Sequence, residues 1–340
     1  MASTIISAKM PPLVDPTRST QAYGDRALPR MNRELQAKEL LTRQRSLNAL
    51  CDYLHDPEHI ASALREGIPE SLKRLLYDGD DMIRAKTTEC LYILSSHAIG
   101  RDAILGCELV LSLARAFEDK DMATKVNAHK AIEMLSETPQ GAEGIVDAGL
   151  VPTLVKTLTT TTDNIKSIVL DTLHFCMLVQ TEQVLANEGM EILNKLLSHE
   201  LPLIRHKAAR DMMDLSVTLA GKNKAVEVKA PQTLVQLLSD ENTEVRAMAA
   251  AALMIITITT KGKYTALEFN AIESLLNLLE DECSEVRANA LKALTCLAEA
   301  PEGRTALLKE VERVRDLMSD PVPNVVKAAT IAVKVITWKP

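Results

Sequence analysis

His55 and His59, four residues apart, sit among Asp52, Asp56 and Glu58, a donor-rich stretch of the kind that can hold a metal ion. Metal binding needs the donors to converge, and Pro57 breaks the helix that would bring both rings to one face. No third ligand is evident nearby, and a solvated polar turn accounts for the same residues. Asp171, Asp211 and Asp214 are candidates for acid–base chemistry. All three fall on predicted helices, where a ladder of charges with Arg210 or Lys130 explains them without catalysis. Gly221-Lys222 and Lys261-Gly262-Lys263 have the residue types of phosphate loops. Their place between predicted helices gives glycine and lysine ordinary work at helix C-termini. No GxGxxG, G-x-S-x-G or HExxH motif occurs. The expectation is no catalytic, cofactor or metal site, and no enzyme.

The elements that carry these residues repeat. Arg43, Arg84, Lys125, Lys166, Arg205, Arg246, Arg287 and Lys327 follow one another at intervals of 41, 41, 41, 39, 41, 41 and 40 residues. With each basic residue as zero, a mostly apolar position falls at −1, a small or β-branched one at +3, and large apolar ones at +7 and +10. The set is Ile83, Thr87, Leu91 and Leu94 in one unit, and Val286, Ala290, Leu294 and Leu297 in another. Steps of four, four and three keep one face of a 3.6-residue helix inward. A period near forty predicts an all-α fold, a right-handed α-solenoid of about eight repeats. The last unit slips register by about one residue, as suits a terminal cap.

Composition narrows the function. Hydrophobic content of 46% supplies a core, and only 3% aromatic content makes that core aliphatic. A net charge of −7 gives no basic footprint for nucleic acid, and scarce aromatics remove stacking platforms for single strands. Six cysteines without a C-x-x-C pair suggest reduced, mostly buried thiols in a cytosolic-type compartment. The longest apolar run, Ala247 to Ile256, is too short to span a bilayer, so no membrane partner is expected. The N-terminus lacks a secretory h-region. Residues 1 to about 20, with Pro11, Pro12 and Pro16, are expected to form a disordered or partner-ordered arm, leaving 21–340 as one solenoid.

Residues 140–176 show one unit. Gln140 to Ala148 is predicted as a short helix ending at Gly149, Val151 to Leu158 as a second, Thr159 to Asp163 as a loop, and Ile165 to Cys176 as a long third helix. The pattern resembles the armadillo family, with Gly67-Ile68-Pro69, Leu72-Lys73-Arg74-Leu75-Leu76 and Val245-Arg246 through Leu253 matching its three helices. HEAT repeats share the period but usually have two helices. The resemblance implies that third helices line a concave ligand groove. Peptide-binding members carry a Trp–Asn ladder there; the matching positions here hold other residues, which argues against that mode. What remains is an apolar stretch, Ile93, Met134 and Phe175, flanked by charge including Lys130 and Arg210. It is a candidate seat for the apolar face of a partner helix. Packing of these side chains between neighbouring third helices is the alternative.

Further stretches are similar to the armadillo subunits of the axonemal radial spoke: Gln21 to Pro29, Cys51 to Glu58, Gly262 to Glu268, and Leu297 to Arg304. The resemblance implies a non-catalytic structural subunit in the axoneme of motile cilia and flagella, with other radial spoke proteins as partners. Tubulin is acidic, as is this chain, so direct tubulin docking is not expected. Tyr23, with Ala27 and Leu28, is read as a cap on the open end of the stack or a contact element. A soluble adaptor recruiting clients through the groove is the alternative.

Overall fold

The computed structural model describes residues 27–339, and among these there are helices and no strands. Two compact units are present, one ending at Leu150 and one beginning at Val151. Both are built from the predicted repeat: two short helices followed by a long third one. The long helices of the first unit are α1 (Leu40–Leu54), α2 (Asp81–Ser95) and α3 (Met122–Ser136). Those of the second are α4 (Asp163–Val179), α5 (Pro202–Leu215), α6 (Thr243–Ile256), α7 (Ser284–Leu297) and α8 (Pro323–Ile336). Within each unit every long helix packs on the next.

The inward positions read from the period are the buried ones. Ile83, Leu91 and Leu94 on α2, Val245, Leu253 and Ile256 on α6, and Val286, Leu294 and Leu297 on α7 are all buried. A fully buried side chain of this kind contributes about 1.5–3 kcal/mol. A short leading helix, Ala27–Glu34, covers α1: Ala27, Leu28 and Met31 are buried, and Ser46 Oγ donates to the Met31 carbonyl at 2.9 Å. The proposed cap therefore includes Ala27 and Leu28, whereas Tyr23 and the N-terminal arm lie outside the described residues.

The basic residues that marked the period bind successive repeats together. Arg84 forks onto Asp119 at 2.6 and 3.0 Å, Arg205 onto Asp240 at 2.7 and 2.9 Å, and Arg287 onto Asp320 at 2.8 and 3.0 Å. Arg43 reaches Asp78 at 3.0 Å and Arg246 reaches Asp281 at 2.7 Å. Each arginine also donates to a carbonyl six residues earlier, in its own turn. Each aspartate accepts the backbone N–H two residues on. One guanidinium thus fixes two turns, and these charge-assisted bonds hold the carboxyls of Asp119 and Asp320 below their ordinary range. Lysine replaces arginine at 125 and 166, and 35 residues beyond them stand Thr160 and Leu201 instead of an acid. Lys166 pairs instead within its own turn, with Asp163 at 2.8 Å.

Two sequence expectations are corrected. Thr159 and Thr160 belong to the second helix, Val151–Thr160, in which threonine hydroxyls find acceptors on the turn before: Thr157 Oγ1 donates to the Thr153 carbonyl and Thr159 Oγ1 to that of Lys156. The Gly-Lys pairs lie not at helix C-termini but in the first turns of Leu219–Glu227 and Thr260–Glu268. There Thr218 and Thr259 cap the Gly221 and Gly262 N–H groups, while Lys222 and Lys263 donate to the Val217 and Ile258 carbonyls at 2.6 and 2.9 Å. A Cβ on either glycine would lie about 2 Å from the Leu215 or Ile256 carbonyl oxygen, at 1.8 and 2.2 Å respectively. The pair is a joint between repeats rather than a phosphate site.

Candidate interaction face and buried charge cluster

The three carboxylates singled out in the sequence come together where α4 packs on α5. Asp211 is fully buried, and its Oδ1 accepts from Arg210 Nε and Nη2 at 3.0 and 2.8 Å. Its Oδ2 has no hydrogen-bond partner. Burial pushes the Asp211 carboxyl up to about 7, against the pull of Arg210. Arg210 also donates to Asp171 Oδ1 at 2.9 Å, and Lys207 binds Asp171 and Ser167 Oγ. His174 Nδ1 lies 2.6 Å from Asp214 Oδ2. Three carboxylates thus face two permanent cations and one imidazole.

Donor atoms of His174, Asp211 and Asp214 lie within 4.8 Å of one another, a separation from which a metal could be held. Arg210 already supplies positive charge at Asp211, and His174 already engages Asp214. The arrangement is a rivet between two helices, consistent with the charged ladder that the sequence suggests for Arg210. Lys130 is placed differently: its ammonium lies over the Tyr92 ring, 5.6 Å from the centroid. His55 and His59 part company, because Pro57 starts a new helix, Pro57–Arg65. His59 stacks on Tyr53 at 3.6 Å and its Nδ1 lies 2.9 Å from the Tyr53 carbonyl oxygen.

The apolar candidates do not share one environment. Ile93 on α2 is only 7% exposed and offers a ligand little surface. Met134 on α3 and Phe175 on α4 are half-buried, and the Phe175 ring is tilted against His174 at 5.0 Å. Larger apolar exposure lies elsewhere in the second unit. Leu178, Val217 and Ile258 occupy equivalent positions at the ends of α4, α5 and α6, and are 66%, 63% and 52% exposed. Ile258 also lines a cavity of about 310 Å³ on α6, α7 and α8, with Met254, Cys296, Ala328 and Ile331. Lys292 and Lys327 flank it, and no acidic residue lines it. Sequence reading missed this place because its apolar members sit at different repeat positions. The signal available was Met254 followed by Ile258, one turn apart at the end of an otherwise inward-facing helix.

Residues 148–319 match a protein-family model described as armadillo-like. The chain belongs to the armadillo-like family. Solved structures agree on the fold. An engineered protein from the Northeast Structural Genomics Consortium is 23% identical, with a TM-score of 0.85 over 92% of this chain and 79% of its own. A second engineered protein from that consortium is 26% identical, with a TM-score of 0.63 over 67% of this chain and 96% of its own. A designed armadillo repeat protein in complex with the peptide (KR)4 is 20% identical, with a TM-score of 0.63 over 67% of this chain and 99% of its own. Armadillo-like folds generally act as non-catalytic scaffolds for protein–protein interaction, and the family match brings no enzymatic activity with it. Among the described residues, no helix is long and apolar enough to cross a membrane.

Proposed function

We propose that the protein is a non-catalytic scaffold subunit of the radial spoke in motile cilia and flagella, holding neighbouring spoke proteins through its repeats. The observation that carries the scaffold reading is the apolar cavity on α6–α8, joined in the same unit by the exposed row Leu178, Val217 and Ile258. Exposed apolar surface of this kind, with no intramolecular task, marks a contact site. The lysine flanks select the occupant: a partner helix with aliphatic anchors and an acidic residue about one turn away. The designed relative was solved with a basic peptide; here the charge of the cavity rim favours the opposite sign. Met134 and Phe175 add half-buried contacts, each within its own unit.

Placement in the spoke, and so in the axonemal cytoskeleton, is supported by the four stretches resembling radial spoke subunits. All four lie in part or whole at structural joints: Ala27 and Leu28 in the leading helix, Cys51 to Glu58 across the end of α1, Gly262 to Glu268 in a first helix, and Leu297 to Arg304 across the end of α7. The acidic net charge supports attachment through other spoke proteins rather than tubulin.

The test is expression of Met254→Glu/Ile331→Glu in ciliated cells. The double variant is expected to melt within a few degrees of the wild type but to lose recovery of spoke subunits from detergent-extracted axonemes. Full recovery by the folded double variant rules out the cavity. Absence of the wild-type protein from axonemes, with its presence in soluble complexes, overturns the spoke assignment and leaves the soluble adaptor.

A further inference from the structure

In the first unit, two successive repeats bring together a donor set that neither holds alone. Cys51 lies on α1, His55 follows four residues later at its C-terminal cap, and Glu89 lies on α2. A spacing of four places Cys51 and His55 on one face. The Cys51 sulfur, a His55 ring nitrogen and a Glu89 carboxylate oxygen all lie within 4.8 Å of one another. Cys51 is buried, Glu89 half-buried and His55 exposed, so the cluster has a dry wall on one side and an opening to solvent on the other.

One member of the cluster already has a cationic partner, and the ion would share that carboxylate with it. Cys90, beside Glu89 on α2, is buried and closes the inner side of the cluster. Glu89 gives Oε2 to Lys86 Nζ at 2.7 Å and keeps its second oxygen.

We propose that Cys51, His55 and Glu89 form a site for one zinc ion, with water in the fourth position. A mixed sulfur, nitrogen and oxygen set suits zinc, whereas calcium and magnesium take oxygen ligands. Bond lengths of about 2.0–2.3 Å put tetrahedral donors roughly 3.3–3.8 Å apart, a distance that changes of side-chain rotamer supply from the present geometry. On binding, the Cys51 S–H bond breaks, a Zn–S bond forms and the proton passes to water; His55 binds as neutral imidazole and no electron moves. The ion staples α1 to α2 in a way the Arg43–Asp78 pair alone does not.

The full chain, stripped with chelator and kept reduced, is titrated with zinc chloride alone by calorimetry and with cobalt chloride by absorbance. One equivalent of zinc is expected to bind at micromolar concentration or below, and cobalt to show a thiolate charge-transfer band. Cys51→Ser and His55→Ala are each expected to weaken zinc binding by more than about 100-fold, because each removes a direct ligand. His55 is exposed, so its variant keeps the wild-type circular dichroism and melting curve. His59→Ala and Asp214→Ala bind as the wild type does. No uptake by the wild type, uptake that survives both Cys51→Ser and His55→Ala, or cobalt binding without the sulfur band overturns the site.

Discussion

Asp211 folds with no access to water and one carboxylate oxygen unbonded, which is costly unless the group takes up a proton. Its carboxyl is pushed from 3.8 up to about 7, so between those values the folded chain holds a proton that the unfolded chain has released. Stability from this group is therefore greatest at low pH and is lost as pH rises through that window. The full difference is about 4 kcal/mol at most. Asp211→Asn keeps an acceptor for Arg210 and removes the titration. Melting curves at about pH 5 and pH 8 are expected to show the variant gaining several degrees on the wild type at the higher pH. A difference that does not change with pH eliminates the buried proton. His129, in the first unit, works in the opposite direction: burial first, then Lys125, pushes it down to about 3. Comparison with Asp211→Asn isolates the one group from the other. The sequence placed Asp211 on a third helix and paired it with Arg210. It could not show the burial, which depends on how closely α4 covers that turn.

The joints between helices follow rules that sequence reading recovers unevenly. Gly67 and Gly149 take positive φ before the second helix, and glycine at those places is readable as a turn signal. At the same place in other repeats stand Asn270, which takes the left-handed conformation readily, and Glu108, Glu188 and Lys229, also with positive φ, whose charged side chains give no such signal. The Gly-Lys joint was visible as a motif but not as a contact, because the carbonyl it approaches belongs to the preceding helix. Gly221→Ala would drive a Cβ into that oxygen and is expected to cost about 2–4 kcal/mol by urea denaturation. Gly106→Ala, where a Cβ meets nothing within 4 Å, is expected to stay within about 1 kcal/mol of the wild type and toward greater stability. Equal effects at the two positions exclude the close approach as the reason for glycine at 221.

Across the chain, the period could be read because a basic residue recurs once per repeat, and where it is arginine it does the same task each time. Its partner was also present in the sequence, 35 residues on, as Asp78, Asp119, Asp240 and Asp281, with Asp320 two residues early in the shortened final repeat. The helical face positions were recovered because burial follows the 3.6-residue rule directly. The Cys51–Glu89 cluster and the α6–α8 cavity were not, since each draws on more than one repeat at unlike positions. In an array of nearest-neighbour contacts, a rung between repeats carries energy that no single repeat holds. Arg246→Ala removes the ion pair with Asp281 and the bonds to the Asp240 and Glu241 carbonyls, with an expected loss of about 2–3 kcal/mol in chemical denaturation. Lys166→Ala, which breaks a pair within a single turn, is expected to cost less than about 1 kcal/mol. Similar losses at both sites dispose of the rung as the larger contribution.

The glycine joints recur at Gly100, Gly141, Gly221, Gly262 and Gly303, each with a carbonyl oxygen of the preceding long helix where a methyl group would go. Inherited changes at these five positions would act through supply: the chain would be cleared by quality control, and every partner would lose it together. If the α6–α8 cavity is the contact site proposed, changes at Met254 or Ile331 would instead leave the protein's amount normal and remove one contact. Measuring protein abundance beside assembly sorts sequence variants into these two kinds before any binding partner is identified.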